Sequence, residues 1–192
     1  MKKRLRQDIK KRLYAMEPQE IASRSCAACT ALIALDEFKA ARAVMLYMPI
    51  AHEVDCLSAA MVAWQQDKTV LVPKVDRQRG RMTAVTCRGM DDDMVSGSYG
   101  IREPANGELW LVEEIDFIVV PALAYDRSGN RLGRGAGFYD RFLSQKGLGA
   151  VTCGLAFDEQ VVDAVPVHDH DWPVAILVTD KEVLRFNNPP KT

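Results

Sequence analysis

A strand, a loop and a helix are predicted in the sequence Pro121-Ala-Leu-Ala-Tyr-Asp-Arg-Ser-Gly-Asn-Arg-Leu-Gly-Arg-Gly-Ala-Gly-Phe-Tyr-Asp-Arg-Phe-Leu143 and the six residues before it. Residues 115–120 are apolar and largely β-branched, which is typical of a buried strand, and residues 139–144 predict the start of a helix. Between them, Gly133, Gly135 and Gly137 fall on alternate positions. The missing Cβ permits positive φ at such positions and lets backbone N–H groups converge on one point. This stretch therefore predicts an anion site, with phosphate as the favoured anion.

Charged side chains strengthen this prediction. Arg131, Arg134 and Arg141 lie in or beside the loop, and a guanidinium group matches phosphate or carboxylate with two parallel hydrogen bonds. Asp140, in the first helical turn, is a compatible helix cap and also a candidate magnesium ligand beside a polyphosphate. The spacing G-x-G-x-G is neither a P-loop nor a dinucleotide fingerprint. A glycine-rich turn with solvated arginines remains the alternative.

Length and composition favour one globular domain over residues 1–192, because 48% of the 192 residues are hydrophobic. The net charge is −1, but positive charge is concentrated at the start of the chain, where seven of the first twelve residues are Lys or Arg. A near-neutral chain disfavours a general nucleic-acid binder. No apolar run has the length of a membrane span, and no secretory h-region is present near the start. We expect a cytoplasmic monomer, although the basic start leaves a mitochondrial presequence open.

The five cysteines are an odd number and do not suggest a disulfide framework. Cys26 and Cys29 form a CxxC pair within an alanine-rich helical stretch, without a second pair for zinc or a preceding strand. Two small buried residues one helical turn apart are the favoured interpretation.

The remaining pattern predicts alternating strands and helices. An amphipathic helix is expected over residues 2–16, because Leu5, Ile9 and Leu13 recur at helical spacing among Lys and Arg residues. A second helix is expected with Pro18 in its first turn and the alanine- and leucine-rich stretch of residues 21–38 as its body. Buried strands are expected at residues 43–48, 69–72, 150–156 and 175–179, the first ended by Pro49 and the second by Pro73. An edge or antiparallel strand at 81–86 and an exposed loop around 91–98 complete the pattern. Strand, helix and strand within about thirty residues indicate a parallel α/β sheet with at least five core strands.

Polar residues after the first strand are candidate ligand contacts, because ligands of open α/β sheets bind outside the carboxyl ends of the strands. Glu53 and Asp55 are interpreted as either helix-capping acids or hydrogen-bond acceptors for a polar heterocycle. His52 is expected to face solvent. In His168-Asp-His-Asp171 a zinc site is disfavoured for want of a third nitrogen or sulfur ligand. One of its acids is instead a candidate for a magnesium ion held by Asp140, since magnesium needs only one or two carboxylates.

Several ordered motifs together resemble the 5-formyltetrahydrofolate cyclo-ligase family, also called methenyltetrahydrofolate synthetases. The most specific motif is Arg131-Leu-Gly-Arg-Gly-Ala-Gly-Phe-Tyr-Asp-Arg141 after Asp126-Arg-Ser-Gly-Asn130. The supporting motifs are Lys2-x-x-Leu5-Arg6, Glu53-Val-Asp55, Gly100-Ile-Arg-Glu-Pro104 and Val165-Pro-Val-His-Asp-His-Asp171. The resemblance runs almost from end to end of the chain.

The resemblance implies a fold and a reaction. The fold would be a three-layer α/β/α sandwich with a mostly parallel sheet, of the type shared with sugar-phosphate isomerases and CoA transferases. The reaction would convert 5-formyltetrahydrofolate and ATP, with Mg²⁺, to 5,10-methenyltetrahydrofolate, ADP and phosphate. Its partners would be small molecules, a reduced folate and ATP, and neither nucleic acid nor a membrane.

Site residues follow from the resemblance as well. Catalysis would involve Arg134 and Tyr139, where the formyl group meets the γ-phosphate, and Asp140 and Asp171 would bind magnesium. The residues implied for ATP are Lys2, Lys3, Arg4, Leu5, Arg6, Arg131, Leu132, Gly133, Arg134, Gly135, Ala136, Gly137, Phe138 and Tyr139. The residues implied for the folate are Met48, Glu53, Asp55, Arg134, Gly135, Ala136, Gly137 and Phe138.

Two positions depart from the family pattern. Ala136 stands where the family often has glycine or lysine, and Phe138 where it often has tyrosine. Alanine disfavours positive φ, so the ring of converging N–H groups is expected to be narrower, and contacts from residue 138 should be apolar. A non-catalytic nucleotide- or anion-binding relative is the alternative function. An isomerase or transferase for phosphorylated metabolites shares the fold but does not explain Asp140, Asp171 and the basic first helix.

Overall fold

An eight-stranded mixed sheet forms the centre of the computed structural model, which describes residues 1–89, 94–97 and 102–187. The strands are β1 Ala43–Met45, β2 Thr69–Asp76, β3 Arg81–Thr86, β4 Met94–Ser96, β5 Arg102–Pro104, β6 Leu109–Trp110, β7 Phe117–Val120, β8 Ala124–Asp126, β9 Arg131–Leu132, β10 Val151–Ala156, β11 Val161–Val162, β12 Ile176–Thr179 and β13 Val183–Arg185. The helices are α1 Lys2–Tyr14, α2 Pro18–Ala34, α3 Asp36–Ala40, α4 Leu57–Gln65 and α5 Phe138–Leu143, with 3-10 turns at Val112–Glu114 and Asp158–Gln160.

The strand order of the central sheet places a ligand crevice in its middle. The order is β13-β12-β10-β7-β1-β2-β3-β6, and β12, β10, β7, β1 and β2 run parallel. From β1 the chain continues to β2 on one side, whereas from β7 it continues to β10 on the other. The carboxyl ends of β1 and β7 therefore diverge at a topological switch point, where open α/β sheets bind ligands.

Helices and small strands cover the two faces of the sheet unequally. On one face, Ile9 and Leu13 of α1, Ala28 and Leu32 of α2 and Ala59 of α4 pack in one buried cluster with strand residues. On the other face, Phe142 and Leu143 of α5 join Tyr125 of β8 in a second buried cluster. The α/β class and the mostly parallel sheet are confirmed, and the second outer layer is built from one short helix and small strands.

Several predicted boundaries were wrong. The strand expected over residues 43–48 ends at Met45. The helix expected from Pro18 through residue 38 is two helices, because Leu35 is extended (ψ 136°) between α2 and α3. The strand expected to end at Pro73 continues to Asp76. Strand residues alternate sides, and the Leu71 carbonyl accepts from Leu46 N at 2.9 Å. The nitrogen of Pro73, two residues after Leu71, therefore also points toward β1. Because β1 has already ended at that level, the missing N–H of Pro73 costs no hydrogen bond between β1 and β2.

A small sheet of β11, β8 and β9 was not predicted. It contains the Asp126-Arg-Ser-Gly-Asn130 motif, whose role is structural. The buried Asp126 carboxylate accepts from the backbone N of Ser128 (2.9 Å), Asn130 (3.0 Å) and Val165 (3.0 Å). Gly129 has φ 82° in this turn. The motif therefore fixes the hairpin that leads into Arg131.

The cysteine and loop predictions were partly right. Cys29 is buried but Cys26 is exposed, so the prediction of two buried thiols was half right. Residues 94–96 were expected in a loop, but they form β4, which pairs with β5. Some of the predicted features lie outside the described residues. These are loop residues 91–93 and 98, residues 100–101 of the Gly100-Ile-Arg-Glu-Pro104 motif, and residues 188–192. Within the described ranges, none of the helices combines the length and hydropathy needed to cross a bilayer.

We predict that Gly154→Ala destabilises the fold. A Cβ at this position of β10 would lie 2.5 Å from Cε1 of the buried Tyr125 ring. Relieving that clash should lower the free energy of unfolding by about 1–3 kcal/mol, measured by urea denaturation. The matched control is Gly149→Ala, because no atom lies within 4 Å of a Cβ there. Equal stability of the two variants would contradict the packing described here.

Candidate active site

An apolar cavity of about 280 Å³ opens at the switch point of the sheet. The segment after β1 contributes Tyr47, Met48 and Glu53, and Pro121 follows β7. The hairpin of β2 and β3 adds Val75 and Met82. Residues 133–137, called the glycine loop below, and the first turn of α5 close the remaining side. The cavity has a mostly hydrophobic wall with a few polar groups, as small-molecule sites generally do.

The glycine loop uses positive φ at two of its residues. Gly135 (φ 113°) and Gly137 (φ 67°) have positive φ, whereas Gly133 and Ala136 do not. The expectation for Ala136 is confirmed, and two of the three glycines use the positive φ that the missing Cβ permits. The first turn of α5 follows directly, since Gly137 is its N-cap.

A second, polar cavity of about 530 Å³ lies on the other side of the glycine loop. Its cationic residues are Lys2 and Arg6 of α1, Arg131 of β9 and Arg141 of α5. The wall also contains Asp140, Asp171, His170 and Trp172. The helix α1 presents Lys2 and Arg6 together because residues four apart share one helical face.

The two cavities share a wall. Arg131, Gly133, Ala136, Gly137 and Asp140 line both of them. A ligand in the apolar cavity and an anionic ligand in the polar cavity would therefore meet across the same few residues.

Arg131 is the most buried cation of this wall. Its side chain is 3% exposed, and its Nη2 donates to Oδ1 of Asp140 at 2.6 Å. Its Nη1 is buried without a hydrogen-bond partner among the described residues. Burial lowers the pKa of Arg131 from its usual value and Asp140 acts in the opposite direction, yet arginine stays charged. A buried, unpaired donor on a cation indicates a place for an acceptor.

α1 is tied to the polar cavity by two contacts. Lys2 Nζ lies 2.7 Å from Oδ2 of Asp171, and Arg6 Nε donates to the Gly133 carbonyl at 2.9 Å. Burial acts to raise the pKa of the Asp171 carboxyl, but hydrogen bonds from Lys2 and the His168 amide outweigh it, and the pKa lies below its usual value. The basic first helix is therefore part of the site wall as well as a solvated surface.

Arg134 crosses the mouth of the apolar cavity. Its Nε and Nη2 donate to Oε1 of Glu53 at 3.0 and 2.7 Å. The Glu53 side chain is 9% exposed and also accepts from Ile50 N at 3.1 Å, while Arg134 is 39% exposed. The ion pair joins the glycine loop to the segment after β1.

Tyr139 supplies a second unpaired polar group to the apolar cavity. Its hydroxyl is buried without a hydrogen-bond partner in the described part of the chain. Burial raises the pKa of the Tyr139 phenol well above its usual value, so the group remains a proton donor at neutral pH. Phe138 lines the same cavity, and its contribution there is apolar, as expected.

Some predicted residues lie away from both cavities. Lys3 and Arg4 are exposed on the outer face of α1, and Leu5 packs against the core. Asp55 is exposed and accepts from Leu57 N at 2.9 Å, which makes it a cap of α4. His52 is half-buried, with its ring 4.1 Å from the Tyr14 ring at an interplanar angle of 32° and its Nδ1 buried, so the expectation of a solvent-facing ring was half right.

The acids implied for magnesium both line the polar cavity. Asp140 accepts from Arg131 and from Trp172 N (3.1 Å) through Oδ1, and Asp171 binds Lys2. Among the described residues no group of three or more His, Cys, Asp or Glu could hold a metal by itself. Two carboxylates beside a cavity for an anionic ligand fit magnesium, which takes only one or two protein carboxylates and keeps its waters.

Sequence reasoning missed the β2–β3 hairpin as part of the site. Arg141, which was expected beside the loop, lines the polar cavity and contacts this hairpin. Arg141 donates from Nε to the Gly80 carbonyl and from Nη2 to the Ala136 carbonyl, each at 2.9 Å. It therefore ties the hairpin turn to the glycine loop. The two alternating segments flanking residues 77–80 signalled this hairpin, but the presumed break at Pro73 concealed it.

Comparison with known proteins identifies the chain as a ligase, because its sequence matches a family of ligases. The model of the 5-formyltetrahydrofolate cyclo-ligase family matches residues 1–180, and the chain belongs to this family. The 5-formyltetrahydrofolate cyclo-ligase of Mus musculus is 28% identical over 183 residues, which cover 90% of each chain. That of Mycolicibacterium smegmatis is 33% identical, covering 73% of this chain and 74% of the relative.

Solved structures agree with this assignment. The NMR structure of the 5,10-methenyltetrahydrofolate synthetase of Aquifex aeolicus has a TM-score of 0.85 and 32% identity, covering all of this chain and 95% of that one. The synthetase of Mycoplasma pneumoniae has a TM-score of 0.77 at 20% identity, which is evidence for the fold alone.

We predict that Lys2→Met raises the pKa of Asp171. A carboxyl with a depressed pKa stabilises the fold at pH values above 3.8, and that contribution is lost as the pH falls through the folded-state pKa. Without the ammonium group the depression should shrink, as measured by NMR titration of the carboxyl carbon. The control is Lys3→Met on the exposed face of α1. An unchanged titration in the Lys2 variant would disprove the ion pair.

Proposed function

We propose that this protein converts 5-formyltetrahydrofolate and ATP to 5,10-methenyltetrahydrofolate, ADP and phosphate, with Mg²⁺. The formyl oxygen attacks the γ-phosphorus of ATP and ADP leaves. N10 of the folate then attacks the activated carbon, phosphate departs with the former formyl oxygen, and N10 loses its proton. Family membership supports the overall conversion, and the geometry supports this route.

One observation carries the proposal, namely the wall that the two cavities share. Phosphoryl transfer between two bound molecules requires a donor and an acceptor that meet in line, with cations around the moving charge. Here an apolar cavity and a cationic cavity meet across the glycine loop, with Arg131 and Asp140 on both sides. That arrangement suits a folate on one side and a nucleotide triphosphate on the other.

The apolar cavity suits the reduced pterin ring. Tyr47 and Met48 provide flat and adaptable apolar contacts, and the Glu53 carboxylate is an acceptor for ring N–H groups. We assign Met48 and Glu53 to this ring. Asp55 is not assigned, because its carboxylate caps α4 on the exposed surface.

The polar cavity suits the phosphates of ATP. Lys2, Arg6 and Arg131 offer cationic donors, and the unpaired Arg131 Nη1 lacks an acceptor that a phosphate oxygen would supply. Backbone N–H groups of the glycine loop would add further donors. Leu132 and Gly133 to Gly137 belong to this assignment, while Lys3 and Arg4 would act only through long-range attraction.

Arg134 and Tyr139 are the proposed catalytic residues. Both line the apolar cavity next to the shared wall. Arg134 would neutralise charge on the transferring phosphoryl group, and the Tyr139 hydroxyl would donate to an oxygen of the reacting group. No enzyme nucleophile is required, because the formyl oxygen itself is the phosphoryl acceptor.

Asp140 and Asp171 are proposed to hold Mg²⁺ together with phosphate oxygens and water. Bound there, the ion would supply charge neutralisation on the phosphates. Arg131 and Lys2, the present partners of these acids, would remain beside the same phosphates. We further propose that the fold belongs with the sugar-phosphate isomerases and CoA transferases.

The test is an assay with 5-formyltetrahydrofolate and Mg-ATP, following absorbance of the methenyl product and release of ADP. The wild-type protein should form both, and Arg134→Ala should lose about 100-fold in kcat while remaining folded by circular dichroism. Arg127→Ala, at an exposed arginine paired with Glu182 outside both cavities, should keep its activity. ATP binding by calorimetry without turnover would favour the non-catalytic alternative and refute the proposal.

We predict that Tyr139→Phe separates stability from activity. A buried hydroxyl without a partner costs free energy, so its removal should leave Tm unchanged or raise it. If the hydroxyl donates to the reacting group, kcat should fall by about 10-fold or more. Thermal melts and steady-state kinetics measure the two effects. A variant with a lower Tm and full activity would show that the hydroxyl serves only the fold.

A further inference from the structure

We propose that Arg141 is a further phosphate-binding residue of the nucleotide site, and that it supplies from α5 a positive charge that residue 136 of the glycine loop does not carry. This inference rests on the proposed function, because it assumes that the anionic ligand of the polar cavity is a nucleotide. It gives Arg141 a direct contact with the ligand in addition to its contacts within the protein.

The charges that line the polar cavity do not cancel. Among the described residues its wall has four Lys or Arg side chains and two carboxylates, which leaves two positive charges in excess. The two carboxylates are already neutralised by the ion pairs with Lys2 and Arg131. The other two cations, Arg6 and Arg141, form no ion pair with a described residue. These two arginines therefore carry the excess charge of the wall.

The guanidinium group of Arg141 is held in place by neutral groups. Its Nε donates to the Gly80 carbonyl and its Nη2 to the Ala136 carbonyl, each at 2.9 Å. Its Cζ lies 5.1 Å from the centroid of the Phe138 ring. Carbonyl oxygens and an aromatic face orient a guanidinium group without removing its charge. Nη1 takes part in neither hydrogen bond, so its N–H groups are available to a ligand.

Two glycines of the loop leave room for the two arginines in excess. A Cβ at Gly137 would lie 2.9 Å from Nη1 of Arg141, and a Cβ at Gly135 would lie 3.8 Å from Cζ of Arg6. Both glycines have positive φ and line the polar cavity. The two guanidinium groups therefore approach the backbone of the loop at alternate residues, one before and one after Ala136.

A ligand with several phosphates fits this arrangement. Two like charges beside one short loop repel each other unless an anion lies close to both. Guanidinium groups form charge-assisted hydrogen bonds with phosphate oxygens. Ala136 has no charged group, so positive charge at the centre of the loop must come from side chains that are near it in space. We assign Nη1 of Arg141 to a phosphate oxygen of the nucleotide.

The experiment measures the binding of AMP-PNP, a non-hydrolysable analogue of ATP, with Mg²⁺ by calorimetry at low ionic strength. Arg141→Gln removes the charge and should weaken binding about 10-fold, as expected for the loss of one charge-assisted hydrogen bond. Arg141→Lys keeps the charge and should bind within about 3-fold of the wild-type protein. Added salt should weaken binding more in the wild-type protein than in the Gln variant.

A purely structural role of Arg141 would give a different result. Loss of the tie between the hairpin turn and the glycine loop would lower Tm and raise the KM for 5-formyltetrahydrofolate, because Val75 and Met82 of the hairpin line the apolar cavity. It would do so in the Lys and Gln variants alike. A phosphate contact instead raises the KM for ATP in the Gln variant, leaves the KM for the folate unchanged, and is largely restored by lysine.

The matched control is Arg127→Gln, which removes one positive charge outside both cavities and should leave the affinity for AMP-PNP unchanged. Wild-type affinity in Arg141→Gln, or equal losses in the Gln and Lys variants, would overturn the inference. If the wild-type protein bound AMP-PNP but formed no methenyl product, the proposed function would fail, and the affinities of the variants would still decide the role of Arg141. Absence of nucleotide binding in the wild-type protein would overturn both.

Discussion

The contact on which the site depends is the ion pair between the buried Arg131 and the partly exposed Asp140. Burying a guanidinium group is costly unless an acid faces it, and Asp140 does so at 2.6 Å while also accepting from the Trp172 amide. The pair joins β9, α5 and the segment after His168-Asp-His-Asp171. Because one guanidinium nitrogen stays unpaired, the pair organises the wall and still leaves a donor for a ligand.

Around that pair, separate parts of the chain meet at one place. The Asp126 hairpin fixes the approach to Arg131, α1 contributes Lys2 and Arg6, and the carboxyl ends of β1 and β7 provide the gap. The switch point explains why this gap lies between these two strands. Cavities that share a wall bring two ligands together without a large movement, which lowers the entropic cost of their reaction.

Sequence patterns identified the strand core, the first helix and the glycine loop, because burial and helical periodicity are local signals. The residue patterns gave Arg131 and Glu53 as candidates, and the family resemblance implied Lys2, Arg6 and Tyr139. All five line at least one of the two cavities. Local signals did not predict features that depend on contacts between residues far apart in the sequence. The ion pair of Arg134 with Glu53 joins residues 81 positions apart, and no spacing rule predicts it. For Asp55 the sequence left open a helix-capping role, and the structure shows its carboxylate accepting from Leu57 N at the start of α4. The β8–β9 hairpin was missed because its strands have three and two residues, too few to show alternation.

Pro73 has a consequence for the shape of the cleft. In a parallel ladder, the strand that donates Leu46 N to the Leu71 carbonyl would next accept from the N–H of residue 73, and proline has none. A first strand extended past Leu46 would therefore lack one ladder bond to its neighbour. β1 ends at Met45, and Tyr47, Met48 and Pro73 line the apolar cavity just beyond it. The proline thus lowers the gain from extending the sheet at the place where the cavity begins.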